Sequence, residues 1–226
     1  MKIKAMNKDA NILIACEESQ IVCKAFRDLG FYNTFSCDLL PTSGSHPEWH
    51  IKGDIRNVLN GSFMAFGQFW TEAGTVECIY SWDLMIAHPP CTYLAVSGAQ
   101  YWHKREKEQM KALEFINILL NAPINKIALE NPVGKISTSI RKPDQYIQPY
   151  HYGHKISKKT GLWLKNLPLL KPENIVEPEW IYYKNGGRCS PDHYKNAFSK
   201  NRSKTRSVTY QGIANAMANQ FGETRC

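Results

Sequence analysis

Short apolar runs alternating with amphipathic, helix-spaced stretches predict an α/β fold: a mostly parallel sheet with helices on both faces. Asn11-Ile12-Leu13-Ile14-Ala15, Leu84-Met85-Ile86-Ala87 and Ile127-Ala128-Leu129 are continuous and apolar, as strands buried on both sides are. Residues 20–29 and 103–120 carry apolar side chains at helical spacing between them. A chain of 226 residues, 43% hydrophobic, suits one domain of ordinary size with a small appendage.

In order, Asn11–Ala15 reads as the first strand and Cys16-Glu17-Glu18-Ser19 as a turn. A helix follows from Gln20 to Leu29, with Ser19 as N-cap, Gly30 as stop, and Ile21, Val22, Ala25, Phe26 and Leu29 on its apolar face. Tyr32–Cys37 reads as the second strand, ending at Asp38, and residues 39–50 as a Pro/Ser/Gly/His loop. His50-Ile51-Lys52 is a short third strand before Gly53-Asp54, and 55–60 a short helix. Gly61, Gly67 and Gly74 interrupt the aromatic-rich stretch 61–78, which has no clear pattern.

Asp83–Ala87 is the fourth strand. The helix at 103–120 is amphipathic, with Met110, Leu113, Phe115, Ile116, Leu119 and Leu120 opposed to a charged face from Lys104 to Lys111. Lys126–Leu129 is the fifth strand, and Gln148–Trp163 reads as strand, turn and strand. The Pro-, Asn-, Lys- and Gly-rich stretch 166–205 is expected to be a loop-rich lobe, and Gln211–Phe221 a closing helix. The expected organisation is a catalytic α/β domain over 1–165, a small basic recognition lobe over 166–205, and a C-terminal helix within 206–226 returning to the first.

The net charge of +8 favours polyanionic partners, nucleic acid first. Between Lys155 and Arg206 basic residues greatly outnumber acids, and Trp163, Trp180, Tyr182, Tyr183, Tyr194 and Phe198 are interleaved, as a phosphate-tracking surface requires. Seven cysteines (16, 23, 37, 78, 91, 189 and 226) without a CxxC pair argue against a disulfide framework, and Cys189 with His193 makes half a zinc site at most. No apolar stretch approaches the ~18 residues of a membrane span, and no secretory apolar region follows Met1-Lys2-Ile3-Lys4, so a soluble cytoplasmic protein is expected.

Chemistry concentrates at two strand ends. Ala87-His88-Pro89-Pro90-Cys91-Thr92-Tyr93-Leu94 puts a thiol on a proline-stiffened turn, and Glu130-Asn131-Pro132 puts a carboxyl group after another buried run. In an open α/β sheet, ligands bind at the carboxyl ends of strands. A thiol and a carboxylic acid there suit covalent attack on a base such as cytosine. A thiolate adding at carbon 6, with an acid at ring nitrogen 3, makes carbon 5 an enamine-like centre able to accept a methyl group. Cys91 is the candidate nucleophile, Glu130 the acid, and Asn131 the residue holding the loop. Asp38 and Asp54 each close a strand, where acids either cap the next turn or bind a nucleoside's ribose and amine.

The order and spacing of these pieces resemble those of DNA (cytosine-5)-methyltransferases. The likeness runs from about residue 11 to 221 and is most specific in Pro90-Cys91, Glu130-Asn131 and the upstream Gly53-Asp54-Ile55. It implies a Rossmann-like, class I S-adenosylmethionine-dependent methyltransferase fold. It also implies that Ala15, Cys16, Glu17, Glu18, Asp38, Asp54, Ile55 and Pro89 surround S-adenosylmethionine, Glu17 or Glu18 taking its ammonium group. Thr92, Tyr93, Ser97, Lys159 and Thr160 are implied to meet the substrate, and Lys158 to assist catalysis. The family's glycine-rich cofactor loop is here Cys16-Glu17-Glu18-Ser19-Gln20, its usual Gln after the cysteine is Thr92, and its two substrate-facing arginines are Lys158 and Thr160. The family's recognition region is usually far larger than Trp163 to Arg206, so short or relaxed recognition is expected. Compact versions of this kind are similar to methylase-like proteins encoded by bacteriophages, which would act in the bacterial host cytoplasm. The expected function is methylation of carbon 5 of cytosine in DNA, with the base flipped from the stack. The other readings are the same chemistry on a free cytidine nucleotide or RNA, and a catalytically inactive nucleic-acid-binding module.

Overall fold

The computed structural model describes residues 6–59, 68–195 and 208–222. Its centre is a seven-stranded sheet built from β1 (Ile12–Ala15), β2 (Thr34–Asp38), β3 (His50–Lys52), β6 (Leu84–Ala87), β7 (Lys126–Pro132), β8 (Gln145–Ile147) and β9 (Thr160–Lys165). Its order is β3-β2-β1-β6-β7-β9-β8, parallel from β3 to β7, with β9 antiparallel to both neighbours. The first five positions follow the doubly wound, Rossmann-like pattern, in which the order reverses beside the first strand. A hairpin of β4 (Gln68–Trp70) and β5 (Val76–Cys78) occupies the described part of the unpatterned stretch, and β10 (Ile181–Tyr182) pairs with β11 (Arg188–Cys189).

Strand alternation divides the core in two. Leu13, Met85, Ile127 and Leu129 face α2 (Glu106–Leu120), which contributes Ile116 and Leu119. Ile12, Ile14, Ile86 and Ala128 face α1 (Ile21–Asp28) and the C-terminal α5 (Gln211–Gly222) through Val22, Phe26, Met217 and Phe221. Helices therefore cover both faces. Two short helices, α3 (Ile136–Ser139) and α4 (Pro191–Lys195), lie after β7 and β11.

Several boundaries differ from expectation for identifiable reasons. Ser19 does not cap α1. Gln20 precedes that helix with a left-handed φ of 60°, and the Glu17 carboxylate accepts the amides of Val22 (2.7 Å) and Cys23 (3.1 Å) instead. The second strand starts at Thr34 rather than Tyr32, because residues 32–33 turn out of Gly30, whose φ is 88°. The helix expected from 103 begins at Glu106, after a 3₁₀ segment over Val96–Lys104. The fifth strand continues past Leu129 to Pro132, because β9 pairs with it from Ile127 to Pro132. The strand expected at Gln148 is β8, ending at Ile147, so the return strand starts only at Thr160. Within the expected lobe, Leu170 is fully buried in the sheet's core, and Lys171 exchanges hydrogen bonds with Gln220 of α5. The end of the short helix expected at 55–60, the start of the 61–78 stretch, Phe198, the basic residues from Lys200 to Arg206 and the chain's last cysteine lie outside the described residues. No helix among the described residues is long and apolar enough to cross a membrane.

The start of α5 abuts the turn at Tyr152-Gly153-His154. An added Cβ on Gly212 would sit 1.8 Å from the Tyr152 carbonyl oxygen, so only glycine fits. The Gly212 amide donates to Nε2 of His154 (2.9 Å), which must be unprotonated to accept. Burial lowers the His154 pKa below 6.5. A folded-state value below the unfolded one contributes stability above about pH 6.5 that is lost as pH falls through the folded value. Thermal unfolding should accordingly show α5 loosening between neutral and mildly acid pH in the wild type. In His154→Gln, whose amide oxygen accepts at any pH, that part of the dependence should vanish.

Candidate active site

The sheet order reverses at β1 and β6, and the crevice outside their carboxyl ends is where an open α/β sheet receives a ligand. Ala15 ends β1, fully buried, and Cys16 turns the chain with a φ of 59°. Burial, then the charges of Asp38 and Asp54, push the Cys16 thiol well up, and burial raises Cys23 and Cys37 likewise, which leaves these three un-ionised. Glu18 sits closer to solvent than Glu17 and is hydrogen-bonded to the Ser43 hydroxyl. Both Glu17 oxygens are committed to the head of α1, so of the two acids expected to meet an ammonium group only Glu18 is suited to it. Asp38 ends β2 half-buried, its pKa raised by burial, with one oxygen accepting the Leu40 amide (2.9 Å). Asp54 caps the 3₁₀ turn Ile55–Asn57 and pairs with Arg56, which holds its carboxyl low, and Ile55 is buried in the core. The capping role expected of strand-end acids is thus filled at Asp54.

The next strand end carries the thiol. Pro89 is buried and Pro90 exposed. Cys91 is half-buried, and its carbonyl accepts the amides of Leu94 (3.0 Å) and Ala95 (2.9 Å), closing a tight turn. The turn is fastened to β7 and the residues after it. Asn131 donates Nδ2–H to the Pro89 carbonyl (2.8 Å), the Val96 amide reaches Val133 O (3.0 Å), and the Lys135 amide reaches Leu94 O (2.8 Å). Ala95 and Gly134 form an antiparallel bridge so close that a Cβ on Gly134 would lie 1.9 Å from Leu94 O. Thr92 and Ser97 are exposed. Tyr93 is half-buried with Arg105 over its ring, and its carbonyl accepts Nε2–H of Gln109 (3.0 Å).

Ala87 lies opposite Leu129 in the β6–β7 ladder, which sets His88 level with Glu130. His88 Nδ1 lies 3.2 Å from Glu130 Oε2, and the imidazole side chain is only 6% exposed. Burial would raise the Glu130 pKa, but the hydrogen bond and charge of His88, then Lys158 and the Thr160 hydroxyl, outweigh it and hold it below its ordinary value. Its neighbours therefore favour the ionised form of Glu130. Thr160 is buried at the start of β9, Lys158 half-buried just before it, and Lys159 exposed with its ammonium over Tyr146 (4.2 Å). A small cleft opens at Glu130, walled by Lys158, Thr160, Thr209, Tyr210, Pro149 and Ile213.

The fold thus gathers Cys91, Glu130, Asn131, Lys158 and Thr160 at one edge, with Ala15, Cys16, Asp38 and Asp54 along the neighbouring strand ends. Two contributors go beyond the residues that the motifs name: His88, and the stretch before α5 that brings Thr209 to 3.5 Å from His88 Nδ1. His88 was readable by aligning Ile86-Ala87-His88 with Ala128-Leu129-Glu130 as parallel neighbours; Thr209 carries no local signal. Of the aromatics expected to stack on a substrate, Trp163 is fully buried and donates to Arg141 O (2.9 Å), whereas Tyr182 is 68% exposed and Arg188 lies over Trp180 (4.1 Å). The His193 side chain of the half zinc site lies outside the described residues, among which no group of three or more potential ligands could hold a metal ion.

No protein-family model matches the chain, and no curated protein matches it.

Replacing Asn131 with Ala should leave the buried Pro89 carbonyl without its donor and cost about 1–3 kcal/mol in urea unfolding. Replacing exposed Asn121 of the α2 C-cap with Ala should cost well under half as much.

Proposed function

We propose that the protein methylates carbon 5 of cytosine in DNA, using S-adenosylmethionine. The observation that carries the reading is a cysteine turn fastened by Asn131 to the strand that bears Glu130, so that both lie at the carboxyl ends of adjacent parallel strands. Asp38, at a strand end beside the point where the sheet order reverses, fits the ribose hydroxyls of a bound nucleoside, with Asp54 beyond it near the adenine. Glu18 is the acid suited to the methionine ammonium. Cys16 and Gln20 take by left-handed backbone the path that glycines would otherwise give the loop. S-adenosylmethionine, when bound, supplies the methyl group.

The chain's own residues do the rest. The Cys91 thiolate forms a bond to carbon 6 of the ring while Glu130, carrying a proton, gives it to ring nitrogen 3 and takes it back when the sulfur leaves, and the enamine so formed makes carbon 5 nucleophilic. After carbon 5 is alkylated, its proton leaves to solvent, the carbon–sulfur bond breaks and the thiolate returns. A paired base buries carbon 6 in the duplex, so the nucleotide must leave the stack. Lys158, Lys159 and the Trp180–Arg188 hairpin suit the phosphates and an unstacked strand.

Bisulfite sequencing of DNA from cells expressing the protein should reveal 5-methylcytosine in a short sequence context. Cys91→Ser should abolish incorporation of labelled methyl groups into plasmid DNA, and Glu130→Gln should lower it at least ~100-fold. Methyl transfer to dCMP but not DNA would assign the same chemistry to a free nucleotide. Wild-type incorporation by Cys91→Ser would overturn the covalent mechanism.

A further inference from the structure

We propose that His88 is the positioning residue of this site: it holds the Glu130 carboxylate through Nδ1 and stores the proton that Glu130 passes to the ring of the base. The inference rests on the cytosine reading above and adds to it a residue on which the acid depends. His88 stands in the strand register that faces Glu130, its Nδ1 3.2 Å from Oε2, with the Thr209 hydroxyl 3.5 Å away. Its other nitrogen, Nε2, is buried with no hydrogen-bond partner. An unsatisfied buried nitrogen destabilises the fold that keeps it. A ring kept at that cost, whose best contact is Glu130, serves Glu130 rather than the packing of the fold. The charged groups facing the pair are Glu17 from the head of α1, with Glu18 beside it, and Lys158 from the segment before β9; Thr160 and Thr209 are neutral.

Lys158 and Thr160 supply no guanidinium, and a guanidinium could hold a carboxylate but not release a proton to it. An imidazolium does both. Its Nδ1–H bond breaks, leaving the electron pair on nitrogen, and an O–H bond forms on Oε2 of Glu130. Glu130 then gives that hydrogen to ring nitrogen 3 as the Cys91 thiolate adds at carbon 6. The proton returns by the same route when the sulfur leaves, so none is consumed along this path in a turnover. Turnover requires that the two side chains together hold one proton.

Two measurements test this. In the wild type labelled with carboxyl-¹³C glutamate, and assigned with Glu130→Gln, the Glu130 resonance should change in two steps with pH, the second marking loss of the proton it shares with its neighbour. A single isolated carboxylate step overturns the proposal, whether or not the protein methylates DNA and whether or not any His88 variant folds. In His88→Asn, kcat for methyl transfer should fall at least ~10-fold and the alkaline limb of its pH profile should move to lower pH. The KM for S-adenosylmethionine should stay within about twofold. Loss of rate with an unchanged pH profile would assign His88 a purely structural part and overturn the proposal. A wild type that transfers no methyl group to DNA, RNA or dCMP would sink the cytosine reading, while the carboxyl titration would still decide whether His88 governs Glu130.

Discussion

The register of β6 against β7 is the constraint on which the site depends. With Ala87 opposite Leu129, β6 ends where β7 reaches Glu130, and the histidine that opens the proline turn stands level with the glutamate. Side chains alternate along a strand, so a slip of one residue would turn Glu130 to the opposite face and leave Asn131 where the carboxylate belongs. Burial enforces the register: Leu84, Met85, Ile86 and Ala87 are fully buried, as are Ile127, Ala128 and Leu129, and each faces its own half of the core. The hydrophobic core and the chemistry are in this sense one requirement.

The edge is also where local rules are broken. Cys16 and Gln20 adopt left-handed backbone that disfavours a side chain by about 1–2 kcal/mol each. Glu17 is a buried acid whose pKa rises with burial, offset in part by His88 and by two amides at the head of α1. Buried Asn131 satisfies its Nδ2 and leaves Oδ1 without a partner. Strain, a buried carboxyl group and unsatisfied nitrogen and oxygen atoms within one region are a concentration that a purely structural edge has no reason to keep.

Much of this was legible from the residues. Buried strands announce themselves by continuous apolar runs, and β1, β3 and β6 fall where Ile12-Leu13-Ile14, His50-Ile51-Lys52 and Leu84-Met85-Ile86 predict. Helices α1 and α5 follow their apolar periodicity to within a residue or two. What escaped was set by distant partners. Nothing in Glu130-Asn131-Pro132 says that the strand continues, because the pairing comes from β9 some thirty residues later. Ser19 looks like the better cap, yet Glu17 reaches the amides because Gln20 bends the chain back. The ionised state of Glu130 depends on His88, Lys158 and Thr160 together, and spacing alone cannot supply a charge balance.

The reversed strand β9, wedged between β7 and β8, has a consequence for how the molecule matures. Strands β1, β2, β3, β6 and β7 can associate as soon as they leave the ribosome, each beside a neighbour already made. The far end of β7, from Glu130 to Pro132, stays unzipped on that side until the chain has travelled out through β8 and back, a closure of longer loop and later arrival. A nascent chain halted before Thr160 would therefore own every parallel strand and lack the partner of Glu130 to Pro132. The edge that carries the candidate site is the last part of this sheet to close, since β9 begins only at Thr160.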